Sequence, residues 1–282
     1  MQETKCIVCN NIKTEKWAQK GDYLSVKCKK CGMVWIEPIP GEEELTKFYQ
    51  GYYTARVKDK NSWEQRKTMY RIEASWLKNF ITAGTILDIG CSDGSFLYQF
   101  KDRFECFGIE LEKSAVLAAK KKGLNVICGS TESISKFGRK FGCVVLRGTI
   151  EHFPNPKKAI YDIIDYVASD GYIFITATPD VSSFCAEMYR EKWNQFIPPE
   201  HIFYFDINTI SILMKQFGFI KIAHHHFYLE TPYANPEKDY KKIKEDIRII
   251  YKNGRKKVKI SPPFWGSMMT ILFRREKNAT RK

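Results

Sequence analysis

The chain of 282 residues has no apolar run long enough to span a bilayer, which takes about 20 residues. Its first residues, Met1-Gln2-Glu3-Thr4-Lys5, hold no apolar stretch of signal type, so export is not expected and the setting is read as cytoplasmic. Internal repeats and low-complexity tracts are missing too, which sets aside solenoid and linker-type chains. Acidic residues are the minority, 32 against 46 Lys and Arg, for a net charge of +14. The excess is uneven, because residues 237–282 hold 15 basic and 5 acidic side chains. That describes a basic C-terminal block rather than a uniformly basic nucleic-acid surface. Hydrophobic residues at 44% and charged residues at 28% are ordinary globular content, against a disordered chain.

Nine cysteines without an export signal do not describe a disulfide scaffold. Cys91, Cys106, Cys128, Cys143 and Cys185 are scattered, four of them in or beside apolar strand-like runs, and read as small buried hydrophobes. Cys6, Cys9, Cys28 and Cys31 form two C-x-x-C pairs separated by 18 residues. Four thiolates from two tight knuckles complete a tetrahedral Zn²⁺ shell with no open position, so the zinc is structural. A module of about 40 residues rarely holds together without such a metal or a crosslink.

Past this module, Glu42 to Tyr49 reads as a helix, and the stretch after it holds Tyr52 and Tyr53. A longer helix is capped by Ser62 with Gln65 three residues on, and Met69, Ile72, Trp76 and Phe80 share its apolar face. Strand and helix signals then alternate. Strands fall at 85–89, 106–110, 126–128, 143–146 and 172–176, with helices at 95–101, 113–122 and 156–167 between them. This alternation implies an α/β, Rossmann-like domain with parallel pairing and helices on both faces. A helix at 208–217 and strands at 219–224 and 268–274 follow.

The most informative segment is Thr85-Ile86-Leu87-Asp88-Ile89-Gly90-Cys91-Ser92-Asp93-Gly94. A buried strand ends at Gly90 and a helix begins past Gly94, so backbone N–H groups point at a ligand. Glu110 ends the next strand, 20 residues beyond Gly90, where a carboxylate can accept both hydroxyls of a ribose. The loop is not the G-x-G-x-x-G of nicotinamide enzymes. Its acid, Asp88, suits the amino group of S-adenosylmethionine (SAM), and the N–H groups suit the SAM carboxylate.

Here the chain resembles class I SAM-dependent methyltransferases, with Ser92 in place of the middle glycine. The resemblance implies a seven-stranded sheet with SAM held by Asp88, Gly90, Ser92, Gly94 and Glu110. It also implies adenine contacts at Ser130, Thr131 and Glu132 after the third strand, and a cofactor contact at Arg147. Arg147 opens the segment Arg-Gly-Thr-Ile-Glu-His-Phe-Pro-Asn-Pro, which is similar to the family's segment after strand four. The paired cysteines, Cys31-Gly32-Met33-Val34-Trp35-Ile36-Glu37-Pro38, and Pro199-Glu200-His201-Ile202-Phe203-Tyr204-Phe205 resemble a bacterial group in which a zinc ribbon precedes the SAM domain. Members often act in sugar or surface-glycan pathways. The expected organisation is a zinc ribbon at 1–40, a linker and helix at 41–80, and a methyltransferase domain at 81–282 with a basic helical insertion at 227–266.

Methyl transfer from a sulfonium is an in-line displacement, and a hydroxyl or activated-carbon acceptor gains from a general base. His152, after strand four, and His201, in an aromatic stretch after strand five, are the candidates. Tyr189 and Trp193 are candidate linings of the acceptor pocket. His224, His225 and His226 alternate along a strand and are not expected to share a metal. In the insertion, Tyr240, Ile243, Ile247 and Ile250 mark the apolar face of a helix from Glu237 to Asn253 ended by Gly254. Its lysines and arginines are read as a solvated face, or as attraction to anionic lipid, a diphosphate-bearing sugar carrier or RNA. The leading function is a small-molecule methyltransferase acting on a sugar or glycan precursor. The alternatives are an rRNA or tRNA methyltransferase using the ribbon to bind RNA, and a non-catalytic binding module.

Overall fold

The computed structural model describes residues 5–49, 53–54 and 59–276; Tyr52 and the basic residues past 276 lie outside them. Two sheets organise the chain. The larger has seven strands: β4 (Gly84–Ile89), β5 (Phe104–Glu110), β6 (Asn125–Cys128), β7 (Phe141–Arg147), β8 (Val167–Pro179), β10 (Phe219–His225) and β11 (Met268–Arg275), in the order β10-β11-β8-β7-β4-β5-β6. From β6 to β8 the neighbours are parallel, whereas β11 is antiparallel to both β8 and β10. The order reverses beside β4, which pairs with β5 on one side and β7 on the other. Ligands of open α/β sheets bind at the C-terminal ends of strands flanking such a reversal.

Strand side chains alternate between two cores, as the two-residue period of a strand requires. Val144 and Leu146 of β7 face one, and Cys143 and Val145 face the other. On the first face lie α4 (Pro156–Ile164) and α6 (Ile207–Gln216). On the second lie α2 (Lys60–Lys78) and α3 (Lys113–Lys121). Two helix readings need correction. The N-cap of α2 is Asp59, whose carboxylate accepts from Ser62 N–H, so Ser62 lies inside the helix. Its buried face is Met69, Tyr70, Glu73, Ala74 and Leu77, because the helix turns toward Arg147, and Phe80 falls beyond its end and is exposed. Residues 97–100 form a 3₁₀ turn rather than an α-helix.

The smaller sheet joins β1 (Thr14–Lys20), β2 (Tyr23–Cys28), β3 (Val34–Glu37) and β9 (Phe203–Tyr204) in that order. The last of these comes from the segment after β8, so the N-terminal module borrows a strand from the far half of the chain. Trp17 stacks on Tyr204 at 6.2 Å between ring centres and meets Phe196 edge-on at 5.5 Å. One buried cluster runs through this module and the first face of the large sheet. Helix α1 (Glu42–Tyr49) links the two.

The C-terminal insertion forms α7 (Pro236–Asn253), ended by Gly254. The expected apolar face is only partly buried: Ile243 is inside, while Tyr240 and Ile247 are exposed. Asp239 and Asp246 take the inner positions because they accept hydrogen bonds from the buried hydroxyls of Tyr228 (2.8 Å) and Tyr189 (2.7 Å). Tyr189, at the end of α5 (Phe184–Tyr189), and Trp193 are fully buried, the first against Asp246 and the second against Trp17, so both pack in the core. Cys91, Cys143 and Cys185 are buried, Cys106 is half-buried and Cys128 is exposed at its strand end. Among the described residues no helix is long and apolar enough to cross a membrane.

Replacing Trp17 by Ala removes the aromatic centre that packs the N-terminal module on the segment after β8. Urea unfolding is expected to show a loss of about 3–5 kcal/mol in one transition, since the module and the large sheet share a core.

Candidate active site

The turn after β4 is shaped by backbone conformation. Gly90 and Cys91 donate to the carbonyl of Ile109 at 2.8 and 3.0 Å, tying the loop to β5. Gly94 has φ +71°, and an added Cβ would lie 2.3 Å from Leu124 Cδ1, so glycine is required there. Ser92 also takes a positive φ, 50°, the one loop position where a side chain accepts the left-handed conformation at an energetic cost. The loop has a direct mate in β7's extension: the Thr149 hydroxyl donates to Ile89 O at 3.1 Å and packs against Gly90.

Two carboxylates face this turn differently. Glu110 is half-exposed, and its oxygens accept from Ser92 N–H and Glu112 N–H, both at 2.8 Å. These bonds fix the carboxylate at the end of β5 and leave lone pairs for a ligand. Tyr53 lies close by, its N–H donating to Glu112 at 2.8 Å. Asp88 is 2% exposed, and its Oδ1 has no hydrogen-bond partner among the described residues. Burial pushes its carboxyl up to about 8, against the pull of Arg147. A buried acid in this condition is poised to take a cationic ligand.

Arg147 is held by a carboxylate that the sequence reading missed. Glu73 of α2 receives Nε at 2.6 Å and Nη2 at 3.1 Å, and the guanidinium lies over the Tyr70 ring at 4.4 Å. Glu73 was legible only as a charge inside an apolar helical face. Burial raises its carboxyl and Arg147 opposes the rise. In the stretch after β6, Thr131 donates to Asp162 at 2.8 Å and Glu132 pairs with Lys158 at 2.6 Å. Their side chains are thus committed to α4.

The two candidate histidines are 49 positions apart in sequence and come together in space. Their ring centres are 4.9 Å apart at 79°. His152 Nδ1 is 2.8 Å from the Tyr49 hydroxyl of α1. His201 Nδ1 donates to Gln195 O at 2.9 Å, since a carbonyl only accepts. Glu151 completes the group. It is 1% exposed, Oε2 accepts from the Thr178 hydroxyl at 3.1 Å, and Oε1 is buried with no partner among the described residues. Burial pushes its carboxyl up to about 8. Two backbone bonds in series tie this region to the N-terminal module: Ile202 N–H donates to Glu151 O at 2.9 Å, and Ile36 N–H donates to Ile202 O at 3.0 Å. The three other histidines go elsewhere: His225 lies 3.4 Å from Glu230 and His226 lies 2.9 Å from Asp180.

At the far end of the module the four paired cysteines converge. Cys6 and Cys31 sulfurs are 3.5 Å apart, as are those of Cys9 and Cys28, and all four lie within 4.8 Å of one another. A tetrahedral zinc with bonds of about 2.3 Å sets sulfurs about 3.8 Å apart, so the set fits the ion. Although burial resists it, hydrogen bonds from the Cys31 N–H and the Asn11 side chain draw the Cys28 thiol down to about 6.

The strand order, the reversal beside β4 and the antiparallel β11 define a Rossmann-like methyltransferase fold. Residues 62–224 match the family described as a methyltransferase domain. The chain belongs to that family and is an enzyme of the methyltransferase class. An uncharacterised protein of Methanocaldococcus jannaschii is 28% identical over 165 residues, 57% of this chain and 76% of that protein. Among solved structures, a SAM-dependent methyltransferase of Thermotoga maritima, described as a possible histamine N-methyltransferase, superposes with a TM-score of 0.56 at 17% identity. It covers 81% of this chain and 100% of its own. Magnesium protoporphyrin IX methyltransferase of Synechocystis, with bound S-adenosylhomocysteine, gives 0.56 at 10% identity over 84% of this chain and 100% of its own. These two likenesses concern the fold.

Replacing Glu73 by Gln leaves the half-buried Arg147 guanidinium without its paired carboxylate. The expected loss is about 3 kcal/mol, read by urea denaturation.

Proposed function

We propose that this enzyme moves the methyl group of SAM to a small-molecule acceptor, a sugar or surface-glycan precursor. The observation that carries the SAM site is the pair of unlike carboxylates beside one glycine turn. Glu110, fixed by two backbone N–H groups, receives the ribose hydroxyls. Asp88, buried with an oxygen that has no hydrogen-bond partner among the described residues, receives the α-ammonium. Gly90, Ser92 and Gly94 let the backbone approach the methionine part, and Arg147, held by Glu73, sets the charge at its edge. The main chain at Ser130, Thr131 and Glu132 borders the adenine. When bound, SAM supplies an electrophilic methyl on a sulfonium. The acceptor lies on the side of His152 and His201, which activate its nucleophile in line with the methyl. The sugar assignment rests on the resemblance to ribbon-bearing methyltransferases.

The proposed organisation is a zinc-holding module at 1–40, a linker at 41–80 and the catalytic domain at 81–282. Cys6, Cys9, Cys28 and Cys31 hold structural Zn²⁺, and the ion fixes the strand edge that pairs with β9. Methyl transfer from labelled SAM, tested across nucleotide-sugars and RNA fractions, decides the acceptor. Label entering only RNA would sink the small-molecule assignment.

Two further outcomes follow from the site chemistry. Asp88 is neutral below about 8, whereas the SAM ammonium stabilises its ionised form. SAM affinity is therefore highest near that pH and weakens about tenfold per unit on the acid side. On the alkaline side the ammonium itself loses its proton. Isothermal titration from pH 6 to 9 checks this, and Asp88→Asn is expected to bind weakly with a flat acid limb. Cys28→Ser is expected to abolish stoichiometric zinc in metal analysis and to expose the module to proteolysis.

A further inference from the structure

Glu151, His152 and His201 offer one ligand atom each, and these atoms lie within 4.8 Å of one another. Glu151 Oε1 is fully buried without a hydrogen-bond partner among the described residues. Its distance to His152 Nε2 is 3.9 Å, too long for a hydrogen bond. Two ligands of one ion with bonds of about 2.1 Å stand about 3.0–3.4 Å apart, so a small side-chain closure brings the three atoms to coordination distance. The remaining atoms of each group are anchored from behind. Tyr49 holds His152 Nδ1, Gln195 O holds His201 Nδ1, and Thr178 holds Glu151 Oε2. Imidazoles that ligate through Nε2 and are held through Nδ1, with a carboxylate tied by its second oxygen, are the usual outer-shell arrangement of a metal site.

We propose that Glu151, His152 and His201 bind a divalent transition-metal ion that coordinates the acceptor's hydroxyl. This rests on the preceding reading only in placing the acceptor beside these residues. Two imidazoles and a carboxylate suit Zn²⁺, Fe²⁺ or Mn²⁺ better than Mg²⁺ or Ca²⁺, which prefer all-oxygen shells. Three protein ligands leave positions open for a substrate oxygen. The acceptor hydroxyl binds the ion and gives its proton to solvent water, because the ion lowers its pKa. The resulting oxygen nucleophile forms the bond to the SAM methyl carbon. The sulfur–methyl bond breaks with its electron pair remaining on sulfur, leaving a thioether. The acceptor class is therefore an alcohol, and the histidines act as ligands rather than as bases.

The test uses full-length protein whose cysteine site is already filled with Zn²⁺, titrated with Co²⁺. The proposal expects a further equivalent of Co²⁺ with weak visible d–d absorption and none of the sulfur charge-transfer bands that thiolates give. Glu151→Gln and His201→Gln are each expected to weaken Co²⁺ binding at least about tenfold, with SAM affinity by isothermal titration unchanged. Absence of the visible band in the zinc-filled protein overturns the proposal, as does unchanged Co²⁺ affinity in both variants. Failure of the unmodified protein to bind SAM strikes the preceding reading instead, because that measurement needs no second metal.

Discussion

The burial of carboxylates at the C-terminal edge of the parallel strands is the constraint on which the site depends. Asp88, Glu73 and Glu151 are each taken almost wholly out of water, and an isolated charge there is costly. The chain compensates only one of them fully, by turning Arg147 onto Glu73 in a two-pronged pair. The other two keep a buried oxygen without a hydrogen-bond partner among the described residues, and burial raises both to about 8. Positive charge placed beside either group favours its ionised form. The proposed assignment gives the SAM ammonium to Asp88 and a metal ion to Glu151.

This edge is not held by the large sheet alone. Thr149 fastens the β7 extension to the glycine turn, and Glu151 O accepts from Ile202. Ile202 in turn accepts from Ile36 of the N-terminal module, and β9 continues the module's sheet. Tyr49, from the helix between the two parts, reaches His152. The cysteine-bearing module therefore acts as a buttress. Losing its cohesion frees the strand edge that positions His201, far from the sulfurs.

Much of this was legible along the chain because it depends on local rules. Alternating strand and helix periods gave the layered fold, and the cysteine spacing brought four sulfurs together because each knuckle closes within four residues. Asp88, the glycine positions and Glu110 could be read because the turn and the ends of two neighbouring parallel strands follow from near sequence. Reading failed where a tertiary partner overrode a local pattern. α7 turns two aspartates inward to meet buried tyrosine hydroxyls.

The sequence by itself determined the glycine turn, its acid, the carboxylate that ends β5 and the four-sulfur cluster, since each is set by short-range geometry and strand order. Only the tertiary structure decided that Glu73 grips Arg147, that Tyr189 and Trp193 are core, and that Glu151, His152 and His201 share one point. Those contacts join segments separated by tens of residues. Their pairing is fixed by how the helices and the borrowed β9 strand pack, which no local periodicity encodes.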